Sequence, residues 1–174
     1  MRILVAAAAL FLSLMAVPAG AADWAVGPAP SDDPELAAAT VMNDDGHTLF
    51  LWARHIDSRY QVFAVLHLGR GASFGKIMPT YRIDGGDPVD TDAIRQEGDT
   101  VGAVWGHVGQ TAAFWLAWTS IQDVVLPGDQ LQRWFDGHEI EITYKAADNT
   151  EHSTRFTLSG AKAAILQATG LKAD

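Results

Sequence analysis

The chain has 174 residues, no cysteine, and a net charge of −9 from 12 basic and 21 acidic side chains. An acidic chain with scattered Lys and Arg offers no positive stripe to phosphate, which argues against nucleic acid and anionic headgroups as partners. Without cysteine it can form neither a disulfide nor the acylated cysteine of a bacterial lipoprotein, so apolar burial must hold it, and six Trp and seven Phe can supply that.

At the start of the chain, Arg2 precedes a predominantly apolar run from Ile3 to Val17 and then Pro18-Ala19-Gly20-Ala21-Ala22. A positive charge, roughly fifteen apolar residues and small residues before the cleavage point read as a secretory signal peptide over residues 1–22. Residues 23–174 are then one exported domain, periplasmic or secreted. The apolar run is shorter than the roughly 20 residues a spanning helix needs, and no later stretch is long enough, so no membrane insertion is expected after cleavage. Export also removes the chain from cytoplasmic ATP and reduced nicotinamide, and no cofactor is expected.

From Asp23 to Asp33 the chain is rich in Pro, Ala and Gly, which predicts an extended lead-in with Trp24 as its one large docking side chain. His47 to Arg54 and Arg59 to Leu68 alternate with apolar residues on both faces. That pattern suits central strands, and the polar link Ile56-Asp57-Ser58 suits a hairpin between them. Ile77 to Asp84 predicts a strand that ends at Gly85-Gly86, and Val101 to Val108 with Thr111 to Trp118 predicts a further pair, although Ala112 to Trp118 has enough Ala to pass for a helical turn. Asp129 followed by Leu131, Trp134 and Phe135 and closed by Gly137 predicts a short helix with those apolar residues inward.

The clearest alternation comes last. Ile140, Ile142 and Tyr144 against Glu139, Glu141 and Thr143, then a polar turn over residues 147–150, then Thr154, Phe156 and Leu158, predict a hairpin with Arg155 facing Glu139 or Glu141. Ser159 is the expected cap of a terminal helix from Ala161 to Ala168, with Gly170 as its stop. The fold class is mainly β: an antiparallel sandwich or partly closed sheet of about seven or eight strands, with a short helix and a C-terminal helix.

Several residue groups invite chemistry. Gly71-Ala72-Ser73-Phe74-Gly75 matches Gly-x-Ser-x-Gly, the elbow that exposes a nucleophilic serine, and His107, His138 and His152 lie downstream. The elbow requires a helix directly after the serine, whereas Pro79 and a strand follow here. The same loop brushes against a phosphate-binding loop but is one residue short and has Ile77 in place of the hydroxyl. Asp84, Asp87, Asp90, Asp92, Glu97 and Asp99 would suit a hard cation, but their spacing is not that of a calcium loop. The six histidines, His47, His55, His67, His107, His138 and His152, lack metal-ligand spacing, so no metal site is assigned. Trp105, Trp115, Trp118, Phe114 and Tyr81 form the densest aromatic group, and Trp115 is the one that strand alternation sets on the face away from Phe114, Leu116 and Trp118.

Three motifs carry a family resemblance: Trp24-Ala25-Val26 near the mature start, Tyr81-Arg82-Ile83-Asp84-Gly85-Gly86 in mid-chain, and Leu158-Ser159-Gly160 before the closing helix. In these the chain resembles the invasion-associated locus B family of small exported proteobacterial proteins, and the Tyr-Arg-Ile-Asp strand is also similar to one in an exported type VI secretion-associated protein. Locus B proteins usually carry cysteines, one of them at the position of Gly27. The resemblance implies a β-rich exported scaffold with an envelope or host-contact role and no known catalysis. The expected function is therefore noncatalytic binding of an envelope or host protein, with Trp115, Tyr81, Arg82 and Asp84 as the contact residues. The alternatives are a small serine hydrolase using Ser73 and a cation-binding protein using the Asp84 to Asp99 loop.

Overall fold

Side-chain alternation sorts the strands into two antiparallel sheets. The computed structural model describes residues 23–30, 33–56, 59–90, 109–118, 124–125, 129–170 and 172–173. In chain order the elements are β1 (Ala25–Pro28), β2 (Ala37–Met42), β3 (Thr48–Ile56), β4 (Arg59–His67), β5 (Thr80–Ile83), β6 (Val89–Asp90), β7 (Thr111–Trp118), β8 (Val124–Val125), α1 (Asp129–Asp136), β9 (Glu139–Lys145), β10 (Glu151–Thr157), α2 (Ala161–Thr169) and β11 (Lys172–Ala173). One sheet runs β1-β2-β3-β4-β7, the second β10-β9-β5-β6, and β11 pairs with β8 as a separate two-stranded piece. The expected leader, the expected strand from Val101 to Val108, and Trp105, Asp92, Glu97, Asp99 and His107 lie outside the described residues.

β4 lies inside the first sheet, between β3 and β7, and every residue from Gln61 to Leu66 is buried. This is what a strand covered on both faces requires of its sequence. Its inner side chains Val62, Ala64 and Leu66 meet Leu49, Leu51 and Ala53 of β3 and Ala112, Phe114 and Leu116 of β7 in the core. Between Val62 and Phe63 the register with β7 slips, and Leu116 is the extra residue of a bulge. From the second sheet, Tyr81, Ile140, Ile142, Tyr144 and Phe156 enter the same core, and α1 adds Leu131, Trp134 and Phe135. A fully buried Leu or Ile contributes roughly 1.5–3 kcal/mol, so this shared core can replace the missing disulfides.

The Ala-rich segment β2 and the lead-in strand β1 were not legible as strands. Alanine has a weak β preference, and tertiary packing outweighs it here: Ala38 and Ala39 are fully buried, and α2 lies against β1, β2 and β3. Small side chains permit that close approach. Pro28 sits at the end of the β1 ladder, opposite Ala37, where a missing amide is tolerated. Trp24 docks as expected, its Nε1 donating to the Thr157 carbonyl at 2.9 Å.

The last hairpin has the register expected of its alternation, with Glu141 opposite Arg155 and Glu139 opposite Thr157. Arg155 reaches Glu141 at 3.3 Å and Glu139 at 3.7 Å on the exposed face. The start of α2 departs from expectation. Ser159 does not cap it; Gly160 takes that position with φ 88° and no side-chain cap, a backbone conformation that favours glycine over serine. Gly170 closes the helix with φ 67°, as its place in the sequence implied.

Candidate functional site

The loop from Leu68 to Pro79 crosses from the first sheet to the second and is pinned at both ends of its glycine-rich part. Leu68 and Phe74 are buried; their amides donate to Gln110 and Gly109 carbonyls, each at 2.8 Å. Between them Gly71 adopts φ 84°, in a turn closed by the Ala72 amide on the Gly69 carbonyl at 3.3 Å. Phe74 forms a bridge to Ala146, Gly75 N–H donates to the Lys145 carbonyl at 2.7 Å, and Ala147 N–H donates to the Ser73 carbonyl at 3.1 Å. The loop is thus laid against the turn that joins β9 to β10.

That turn is held by its own residues. Ala146 N–H donates to the Thr150 carbonyl at 2.8 Å, Asp148 Oδ1 accepts the Thr150 amide at 2.9 Å, and Asn149 takes φ 68°. The Thr150 amide holds the Asp148 carboxyl below its usual value of 3.8, so Asp148 is a carboxylate at neutral pH. Across the register, His152 faces Tyr144 and stacks on it with ring centres 5.5 Å apart. Phe74 meets the same phenol ring edge-on at 5.3 Å.

A second histidine reaches this cluster from the far side of the chain. The β2–β3 turn positions His47, whose amide donates to Asn43 Oδ1 at 3.0 Å, while Asn43 Nδ2 donates to Thr154 Oγ1 at 2.6 Å. His47 Nδ1 accepts the Gly69 amide at 2.8 Å, and Nε2 lies 3.5 Å from Tyr144 Oη. A backbone amide only donates, so Nδ1 carries no proton and Nε2–H is the tautomer this network assigns. Burial lowers the His47 pKa below 6.5; Asp45 pulls the other way, and His152 and His67 add to the depression. Burial, aided by Asp45, raises the Tyr144 phenol above 10.

Loop and turn border an open cavity of about 520 Å³ lined by Arg70, Ser73, Tyr144, Asp148 and His152. It offers one guanidinium, one carboxylate, one imidazole, the Ser73 hydroxyl and the Tyr144 phenol around apolar alanines. Ser73, the serine of the Gly-x-Ser-x-Gly motif, is half-buried at its wall. Among the described residues no hydrogen bond joins Ser73 Oγ to His152 or Asp148. Outside glycine only Asp84 and Asn149 have positive φ there, so Ser73 lacks the strained backbone of a nucleophile elbow. The segment after it runs to β5 without a helix.

Of the residues singled out for contact, Tyr81 does not share a surface with Arg82 and Asp84. Tyr81 is 2 % exposed and donates its hydroxyl to Gln130 Oε1 at 2.8 Å, so it is a core residue and offers no ring face to a partner. Arg82 lies half-buried opposite Glu141 in the ladder. Asp84, in a left-handed turn at φ 50°, accepts the His138 amide at 3.0 Å and the Glu139 amide at 2.9 Å, with His138 Nδ1 3.4 Å away. It staples the end of β5 to the start of β9, and those amides lower its carboxyl below 3.8. Trp115 pairs with Phe63 in register, and its side chain lies outside the described residues. On the outer face of the first sheet, Trp52 stacks on Phe63 at 5.4 Å beside a groove of about 310 Å³.

Among the described residues no three His, Asp or Glu side chains gather as metal ligands, and no helix is long and apolar enough to cross a membrane. The cavity between loop and turn was missed from the sequence because Arg70 and Ser73 come from one segment and Asp148 and His152 from another far along the chain. The Gly-x-Ser-x-Gly motif at Ser73 and the alternation that opposes Tyr144 to His152 were its legible signals. No protein-family model, curated protein or solved structure matches the chain, so the locus B resemblance rests on the three sequence motifs alone.

Proposed function

We propose that this is an exported, noncatalytic binding domain that holds an envelope or host component in the cavity between the glycine-rich loop and the β9–β10 turn. The observation that carries this reading is the convergence of Arg70, Ser73, Asp148 and His152 on one cavity whose walls are fixed by backbone hydrogen bonds. Groups of both charges carried on a hydrogen-bonded loop and turn around a concave surface suit recognition, which gains affinity from a preorganised backbone. Export follows from the leader over residues 1–22, and the resemblance to the locus B family points to the envelope or host surface.

The hydrolase reading has one observation in its favour, that Ser73, His152 and Asp148 line the same cavity. It needs Ser73 Oγ hydrogen-bonded to an oriented imidazole, and the Asp148 carboxylate already accepts the Thr150 amide.

The test is retention of envelope-extract components by the immobilised mature chain, compared with Ala147→Trp, which fills the cavity from an exposed turn position. Saturable retention lost in Ala147→Trp is the expected result. Retention that ignores the substitution, or no saturable retention, overturns the site. Labelling by a serine-reactive phosphonate that disappears in Ser73→Ala would favour the enzyme instead.

A further inference from the structure

Gly69 begins the glycine-rich loop, and its amide is held by a side chain, His47 Nδ1 at 2.8 Å. A Cβ at position 69 would lie 2.8 Å from the Gly46 carbonyl oxygen, so loop and β2–β3 turn touch backbone to backbone there. The acceptor at this junction is titratable. An imidazolium has a proton on both nitrogens and accepts nothing, so one added proton removes the bond and sets N–H against N–H.

We propose that His47 is an acid-released latch on the cavity: neutral, it ties the loop that carries Arg70 and Ser73 to the β2–β3 turn, and protonated it releases the Gly69 end of that loop. This rests on the reading that the cavity is the binding site. The groups facing His47 from the surrounding elements are Asp45 on its own turn, His67 at the end of β4, and Tyr144 and His152 on the hairpin. Asp45 favours the imidazolium. Burial and the two histidines oppose it, burial most strongly, and the Gly69 amide adds a donor that only the neutral ring can accept. The folded-state pKa is lowered, so the stability this contact contributes is complete above 6.5 and lost as pH falls through the folded value. An exported domain meets whatever acidity surrounds the cell, and histidine is the side chain that reads that range.

The experiment is amide hydrogen exchange of the mature chain across the titration of His47, with the imidazole nitrogens followed by NMR in the same samples. After correction for intrinsic exchange, protection of Gly69 should fall about 3- to 10-fold as His47 gains its proton, the loss of one hydrogen bond. The drop should vanish in His47→Gln, which cannot titrate. Protection unchanged through the His47 titration, a drop that persists in His47→Gln, or a neutral-pH tautomer with its proton on Nδ1 would each overturn the latch. If His47→Gln does not fold, coincidence of the wild-type titration with the protection loss still decides. No ligand enters this measurement. A working latch in a chain that retains no envelope component would leave the latch standing and remove the binding reading.

Discussion

Gly75→Ala probes the junction on which the cavity depends. A Cβ at position 75 would sit 2.5 Å from the Ala146 carbonyl oxygen and 3.1 Å from that of Lys145. Carbon and oxygen need about 3.3–3.6 Å, and both obstacles are backbone of a hydrogen-bonded hairpin, so the loop must retreat by about 1 Å. The retreat strains the Gly75 to Lys145 bond at 2.7 Å and the Ala147 to Ser73 bond at 3.1 Å. Overpacking of this kind costs about 1–3 kcal/mol, and weakening the two bonds adds about 1 kcal/mol. We expect a loss of about 2–4 kcal/mol in urea unfolding, or a fall in Tm of about 5–15 °C for a domain of this size. Gly27→Ala is the control, because a Cβ there meets nothing within 4 Å and the entropic effect of removing a glycine is shared. A Gly75→Ala variant within about 0.5 kcal/mol of that control would refute the close contact of loop and hairpin.

Three further outcomes follow from the same contacts. Burial pushes the Tyr81 phenol up to about 12 and the Tyr144 phenol above 10, so in a tyrosinate absorbance titration the last component should resist ionisation well past 10 and titrate normally after unfolding; loss of that last component only in Tyr81→Phe assigns it, and Tyr81 ionising near 10 would contradict it. The advantage of wild type over Asp84→Asn should be present above pH 3.8 and shrink as acid titrates the carboxylate through its lowered pKa; a pH-independent difference would mean that its charge is not what holds the two amides. Trp134→Ala, at a fully buried ring edge-on to Tyr81 at 5.5 Å, should cost about 3–5 kcal/mol in urea unfolding, and a loss under about 1 kcal/mol would place that ring outside the core.

Legibility in the sequence followed the range of the interactions involved. The hairpin over Glu139 to Thr157 is local and strictly alternating, so its register, its inward Ile140, Ile142 and Phe156 and its Arg155 pairing were all readable. Asp129 to Gly137 likewise carried both ends of α1 and its inner face. β2 was not readable, because three alanines become a strand only when α2 covers them. The cap of α2 was misassigned to Ser159 because the left-handed turn at Gly160 depends on how the chain leaves β10. At the site, Ser73 drew notice through a motif whose backbone strain it lacks. His47 was one of six scattered histidines, and its role depends on Gly69, a contact between residues 22 positions apart.

The central claim is that the cavity between the glycine-rich loop and the β9–β10 turn binds a component of the envelope or of a host. Its most direct test is amide shift mapping of residues 23–174 during titration with the envelope fraction that they retain. Saturable shifts concentrated in Arg70 to Gly75 and Ala146 to His152 are the predicted result. Saturable shifts around Trp52 and Phe63 on the outer face of the first sheet, with the loop and turn unmoved, would contradict it.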